Sequence, residues 1–334
     1  MLIAMFGAVE LGVIYAIMAL GVYLTFRVLD FPDLTVDGSF VTGAAVAAIL
    51  IMNGVSPLLA TVLATLAGFL AGCMTGVLHT KGKINPLLSG ILMMIALYSI
   101  NLRIMGQPTL SLLNESTVFT QLRSFWDRTG IDSFLNGMWT SIGLDKVPGT
   151  WSILFVMILV TMLIKWLTDY YLQTEVGLAL RATGDNQRMI KSFAANTDSL
   201  MIIGVGISNG LVALSGALIA QHGGFADVGM GIGLIIIGLA SVIIGEALFG
   251  TKTIRRTTRA VIGGAIIYRI VVTMALRVDF LDAGDMKFIT ALLVIAALVS
   301  PKVLQARREK KRRLAKRAEL AAQKSEVDNY ANFT

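Results

Sequence analysis

Between residues 175 and 200 the chain reads EVGLALRATGDNQRMIKSFAANTDSL, and its hydrogen-bonding side chains gather here. Arg181, Asp185, Asn186, Gln187, Arg188 and Lys191 follow one another closely, with Asn196 and Asp198 just beyond. Both signs of charge and three amides, with no His or Cys among them, suit recognition rather than bond-making. Gly184 stands where a turn between two short helices would fall, and Phe193 is an apolar knob on an otherwise polar helix. A polar helix with one projecting aromatic fits a groove on a soluble partner. The alternative is a helix that merely lies among lipid headgroups.

The remaining candidates are scattered acids and amides. Glu10 stands out as an acid well inside an apolar stretch. Such a charge is costly in lipid and normally faces a bundle interior or water, on a solute path or against a neighbouring helix. Arg269, in the eighth stretch, is a candidate partner for it or snorkels to an interface, and Asn209 carries a weaker version of the same argument. Asp33, Asp37 and Asp227 flank two similar motifs, FPDLTVDGSF at 31–40 and FADVGMGIGL at 225–234. Broken helices at such places aim their ends at a solute, whereas an ordinary capping Asp would sit there too. Catalysis finds no equipment. His79, His222 and Cys73 lack the spacing of a metal cluster, and neither GxSxG nor HExxH occurs. GEALFGTKT at 245–253 misses the phosphate-binding pattern because Thr251 separates Gly250 from Lys252. No metal or cofactor is expected on this chain, and any ATP would be hydrolysed by another one.

The elements that hold these residues belong in lipid. The 334 residues are 55% hydrophobic and 15% charged, where a soluble domain would carry about 25% charged residues. With a mean hydropathy of +0.75, the expectation is an all-α polytopic membrane protein. Spanning stretches fall at 2–26, 36–53, 57–79, 84–105, 151–171, 198–221, 231–249, 258–276 and 286–301, nine in all with eight to ten acceptable. Residues 1–301 form the membrane domain and 302–334 a tail holding ten Lys/Arg against four Asp/Glu. Such a run anchors to anionic lipid on the cytoplasmic side, and without interleaved aromatics it does not read as a nucleic-acid binder. His79, Lys81 and Lys83 in one loop and Lys252, Arg255, Arg256 and Arg259 in another go inside with the tail. The N-terminus is then outside, as is the long loop 106–150 with Trp126 and Trp139, which is amphipathic enough to lie on the membrane surface or receive a partner. Residues 1–26 are long enough to span and lack the basic start of a cleavable signal. The lone Cys73 is a packing residue. Gly68, Gly72 and Gly76, and Gly206 with Gly210, have the four-residue spacing of close helix packing. A shift of 194 residues lays Phe31, Asp33 and Leu34 on Phe225, Asp227 and Val228, the mark of an inverted repeat of two halves.

With these residues in place, a resemblance emerges. GLALRATGDNQRMIKSFAANTDSLMIIGVGISNGLVALSGALIAQHGG resembles the cytoplasmic loop and following helix of bacterial ABC importer permeases of the branched-chain amino acid and ribose type. The match lies at Gly177, Arg181, Ala182, Asn196 and Thr197, then at Ala213, Gly216, Ala217 and Leu218. Ala195 and Ser192 depart from the glycine and alanine usual in that family. FPDLTVDGSF looks like the offshoot associated with tryptophan-type uptake. The resemblance implies a homodimer in a bacterial plasma membrane, fed by an extracytoplasmic lipoprotein-type binding protein and driven by two ATPase subunits that carry ATP and magnesium. It implies that 175–197, centred on Gly184 to Arg188, is the coupling helix that seats on the ATPase. The implied solute is an aromatic amino acid, with branched-chain amino acids, sugars and nucleosides behind it. The rival reading is an ion-coupled secondary transporter.

Overall fold

A computed structural model of the chain describes residues 2–141, 147–192 and 196–276, together with residues 288, 291, 292, 295 and 299. Eleven α-helices account for most of it. α1 (Leu2–Tyr23) runs on into a π-helical turn, Leu24–Val28. Then come α2 (Thr35–Met52), α3 (Pro57–Thr80), α4 (Pro86–Met105), α5 (Val118–Asp127), α6 (Ile131–Ser141) and α7 (Ser152–Gln173). α8 (Glu175–Ser192), α9 (Thr197–Gly223), α10 (Leu234–Phe249) and α11 (Ile254–Ala275) follow. Two short strands, β1 (Thr109–Ser111) and β2 (Phe225–Asp227), pair antiparallel.

Eight of these segments are long and apolar enough to cross a bilayer: α1 with its π turn, α2, α3, α4, α7, α9, Val228–Phe249 and α11. They match the first eight stretches expected from hydropathy to within a few residues. The ninth, 286–301, lies largely outside the described residues, as do the basic tail and Phe193. Local chemistry sets the helix ends. Pro57 and Pro86 open α3 and α4 at the first turn, where the missing amide costs nothing. Asn85 accepts the Leu87 amide at 3.0 Å and Asn196 the Ser199 amide at 3.1 Å. Gly106 and Gly224 close α4 and α9 at positive φ. Leu58, Leu66, Leu70, Ile95 and Trp166 stand exposed on α3, α4 and α7, as a lipid-facing wall requires.

The chain folds as two similar halves. Adding 194 to the bounds of α2 gives 229–246, which falls within Val228–Phe249; adding it to those of α3 gives 251–274, which nearly coincides with α11. α1 lands on α9 in the same way. The packing repeats as well. A Cβ on Gly72 of α3 would stand 2.9 Å from the Gly206 Cα of α9, and one on Gly12 of α1 would stand 2.9 Å from the Ile266 Cα of α11. Gly12 and Gly206 differ by 194, and so do Gly72 and Ile266. Both halves also carry the same turn: Asp33 accepts the Thr35 amide at 2.8 Å, and Asp227 accepts the Gly229 amide at 2.7 Å. These turns lie at opposite ends of the bundle. Leu34 sits against Gly90 at the start of α4, while β2 pairs with the strand that follows the end of α4, Thr109 opposite Asp227. The halves are therefore inverted relative to one another, as the 194-residue shift anticipates.

The small residues of α3 work as expected at three positions. Cβ atoms on Gly68, Gly72 and Gly76 would lie 2.2 Å from Ala213 Cβ, 2.5 Å from the Val205 carbonyl and 2.7 Å from Ile202 Cα, all on α9. Gly206 completes the seam against Cys73 and Phe69, whereas a Cβ at Gly210 would meet Phe69 at an ordinary 3.4 Å.

Candidate functional site

α8 joins two spans and carries the polar run. Gly177, Leu180 and Thr183, three residues apart, are buried along one edge, with Ile190 beyond. Gly177 fits against the backbone of Tyr171 and Leu172, and Leu180 reaches Gly204 on α9. Gly184 lies on the end of the first span, where a Cβ would come within 2.1 Å of the Val28 carbonyl oxygen and 2.9 Å of Leu29. The expectation that Gly184 opens a turn is therefore corrected: it is a contact residue. The break comes at Asn186, whose φ of −153° and ψ of 88° are not helical. Its side chain accepts the Met189 amide at 3.1 Å and starts the second segment. Asp185, Asn186, Arg188 and Lys191 are exposed, and Arg181 and Gln187 are half-buried.

Beside α8 opens a cleft of about 780 Å³. Tyr23, Arg27 and Asp30 line it from the end of α1, Arg181 and Asp185 from α8, and Lys252 from the α10–α11 connection. Arg27 makes a forked ion pair with Glu246 near the end of α10, its Nε 3.0 and 3.1 Å from the two carboxylate oxygens. Any displacement of α8 thus meets the end of α1 through Gly184, and the end of α1 is tied to α10.

The acids proposed for a solute path do not converge. Glu10 faces His222 of α9, 3.8 Å between Oε2 and Nε2, with Phe119 edge-on to the His222 ring. Arg269 instead lies over the Tyr15 ring at 4.8 Å, which corrects the expected pairing with Glu10. Asp33 is fully buried and meets Asn209, whose Nδ2 donates to it at 2.6 Å. Asp37 holds the start of α10, its two oxygens accepting the Gly233 and Ile235 amides at 2.8 Å each. Asp227 accepts from the Thr109 hydroxyl as well as from Gly229, clasping the strand pair. Only Asp33 and Asn209 come together.

Several charged or amide groups escaped the sequence reading. Glu10 is not alone in a span, because Glu246 sits in α10 and Asp169 in α7. Asp169 pairs with Lys165 one turn earlier and accepts from the Thr258 hydroxyl at 2.7 Å. Asn101, fully buried in α4, donates to the Gly38 carbonyl at 3.1 Å. A count of polar residues inside each stretch would have found all of them.

Eight spans among the described residues, inverted halves and a polar helix joining two of the spans define a multi-pass membrane protein of a build common among transporters. The chain belongs to the family described as branched-chain amino acid transport system / permease component, which matches residues 4–298. It is 44% identical over 289 residues, 86% of this chain and 88% of the other, to a protein of Clostridioides difficile (strain R20291) named tyrosine transport system permease protein. An uncharacterised protein of Rickettsia prowazekii (strain Madrid E) is 32% identical over 299 residues, covering 88% and 96% of the two chains. No solved structure matches the chain.

Proposed function

We propose that this chain is the membrane-spanning permease of an ATP-driven importer of aromatic amino acids. The observation that carries it is the 44% identity, over most of both chains, to a protein named for tyrosine transport. In this reading two copies surround a central path in a bacterial plasma membrane, with the N-terminus outside and the C-terminus in the cytoplasm. A lipoprotein-type binding protein delivers solute at the β1–β2 face. Two ATPase subunits, which hold ATP and magnesium, seat on α8 at the opposite face. The residues of α8 support the division of labour. Its buried edge is keyed to α1 and α9 through Gly177, Leu180 and Gly184, and its exposed edge offers Asp185, Arg188 and Lys191 to a partner.

The experiment is reconstitution of the permease in liposomes with the ATPase and binding protein encoded beside it. Radiolabelled tyrosine should enter only with ATP. Arg188→Glu should remove both uptake and co-purification of the ATPase while the permease still assembles, because reversing an interfacial charge costs several kcal/mol. Uptake by the permease alone, driven by a proton or sodium gradient, would instead make it an ion-coupled carrier.

A further inference from the structure

The start of α11 gathers cations without counter-charges. Arg255, Arg256 and Arg259 are all exposed there, and helix geometry puts them on one arc of about 100°. None of the ion pairs among the described residues involves them. Asp169 of α7, which touches Thr258 between them, is paired with Lys165. The first turn of α11 holds no acid, and cations at a helix N-terminus oppose its dipole. Neutral oxygens hold all three arginines in place. Arg255 Nη2 donates to Gln173 Oε1 of α7 at 3.3 Å, and Arg259 Nε to the Arg255 carbonyl at 3.0 Å. Arg256 Nε donates to the Phe249 carbonyl at the end of α10, at 2.6 Å. Each guanidinium is fixed at one edge and open at the other. Three such forks with no acid between them make a receptor for a phosphate group.

The neighbours indicate what carries that phosphate. On one side Trp166 and Tyr170 of α7, 60% and 65% exposed, stack with their ring centroids 6.2 Å apart. Exposed aromatics near the end of a span mark the boundary between lipid chains and headgroups. Gln173, which holds Arg255, comes three residues after Tyr170 and so lies at headgroup depth. On the other side Leu248 and Phe249 end α10, both exposed. The cations are thus flanked on both sides by apolar surface. We propose that this corner of α7, α10 and α11 binds an anionic phospholipid, its phosphate on the three arginines and its chains against Trp166 and Tyr170. A free phosphate would leave the apolar flanks bare. Phosphatidylcholine brings the same phosphate with a cation attached, which the arginines repel.

Purified full-length permease in detergent, without other proteins, is titrated with phosphatidylglycerol or phosphatidylcholine, and the thermal unfolding midpoint is recorded. Phosphatidylglycerol should raise the midpoint more. Arg255→Gln joined with Arg259→Gln should demand roughly tenfold more phosphatidylglycerol for the same shift. Arg123→Gln with Arg128→Gln removes the same charge from exposed positions in and just after α5, and should leave the shift intact. The basic tail is common to every variant and cancels from the comparison. Equal shifts with the two lipids, a preference that survives the α11 pair of changes, or the same loss in the control pair would each overturn the proposal. So would inorganic phosphate that, at matched ionic strength, stabilises the unaltered protein as the lipid does but not the glutamine pair, since a free anion would then suffice. If the glutamine pair fails to accumulate, Arg255→Lys with Arg259→Lys keeps both charges but loses the forks. Phosphatidylglycerol binding undiminished in that lysine pair would count against the site.

Discussion

Asp33 shows how an acid is kept in a membrane bundle. It has no exposed surface, and its two oxygens accept from the Thr35 amide and from Asn209 Nδ2. A buried acceptor stripped of its donor costs about 1–3 kcal/mol, and more when charged. Asn209→Ala should therefore lower the stability of the purified permease by at least about 1–3 kcal/mol, read as a drop in the thermal unfolding midpoint in detergent. Adding Asp33→Asn to that variant should recover part of the loss, because a neutral amide is cheaper to bury than a carboxylate. Strictly additive effects would mean that the pair does not interact. The sequence exposes both residues as polar groups in apolar surroundings. Their partnership is invisible there, because 176 positions separate them and no spacing rule reaches so far. Asn101 is harder still to see: it is one amide in LYSINLRIM, and only the folded chain leaves its carbonyl oxygen without a donor.

The same contrast holds for elements. Spans are legible because roughly 20 apolar residues are needed to cross lipid, and the eight described ones follow from that requirement. The inner construction of α8 is not legible. Glycine is the usual mark of a helix break, yet here Gly184 is small so that α8 can lie on the Val28 carbonyl, and Asn186 makes the break. Gly184→Ala should accordingly displace α8, since the atoms its methyl would meet are backbone and cannot rotate away. Membrane assembly should persist while ATP-dependent uptake falls by about tenfold or more, the scale of a misplaced contact of a kcal/mol or two. Asn186→Ala removes only a capping bond worth about 1 kcal/mol, and its uptake should fall far less. The Arg27–Glu246 pair offers a second test of the link from this face to α10. Arg27→Glu should impair uptake, and joining it with Glu246→Arg should restore much of the loss. If the double change transports no better than the single one, the ion pair does not transmit the motion.

For the molecule as a whole, the inverted halves put the Asp33 and Asp227 turns on opposite faces, and the proposed orientation rests on the basic residues of the short loops. A reporter fused after Lys83 or after Arg256 should signal cytoplasm, and one placed within 110–141 should signal the exterior. A cytoplasmic signal from the latter would reverse the proposed orientation. The shift of 194 residues was readable from a few letters, FPD against FAD. Its full extent was not, because apolar helices share composition whether or not they are related, and only packing shows that Gly12 meets Ile266 as Gly206 meets Gly72. The cross-half bonds also bear on how the chain is made. Asp33 and Asp37, at the start of α2, find their partners at Asn209, Gly233 and Ile235, up to 198 positions downstream. At roughly 5–20 residues per second, a ribosome needs about 10–40 s to supply them. For that interval Asp33, just before α2, and Asp37, in its first turn, lack those donors. This end of α2 is therefore expected to stay hydrated at the interface until α9 and α10 emerge.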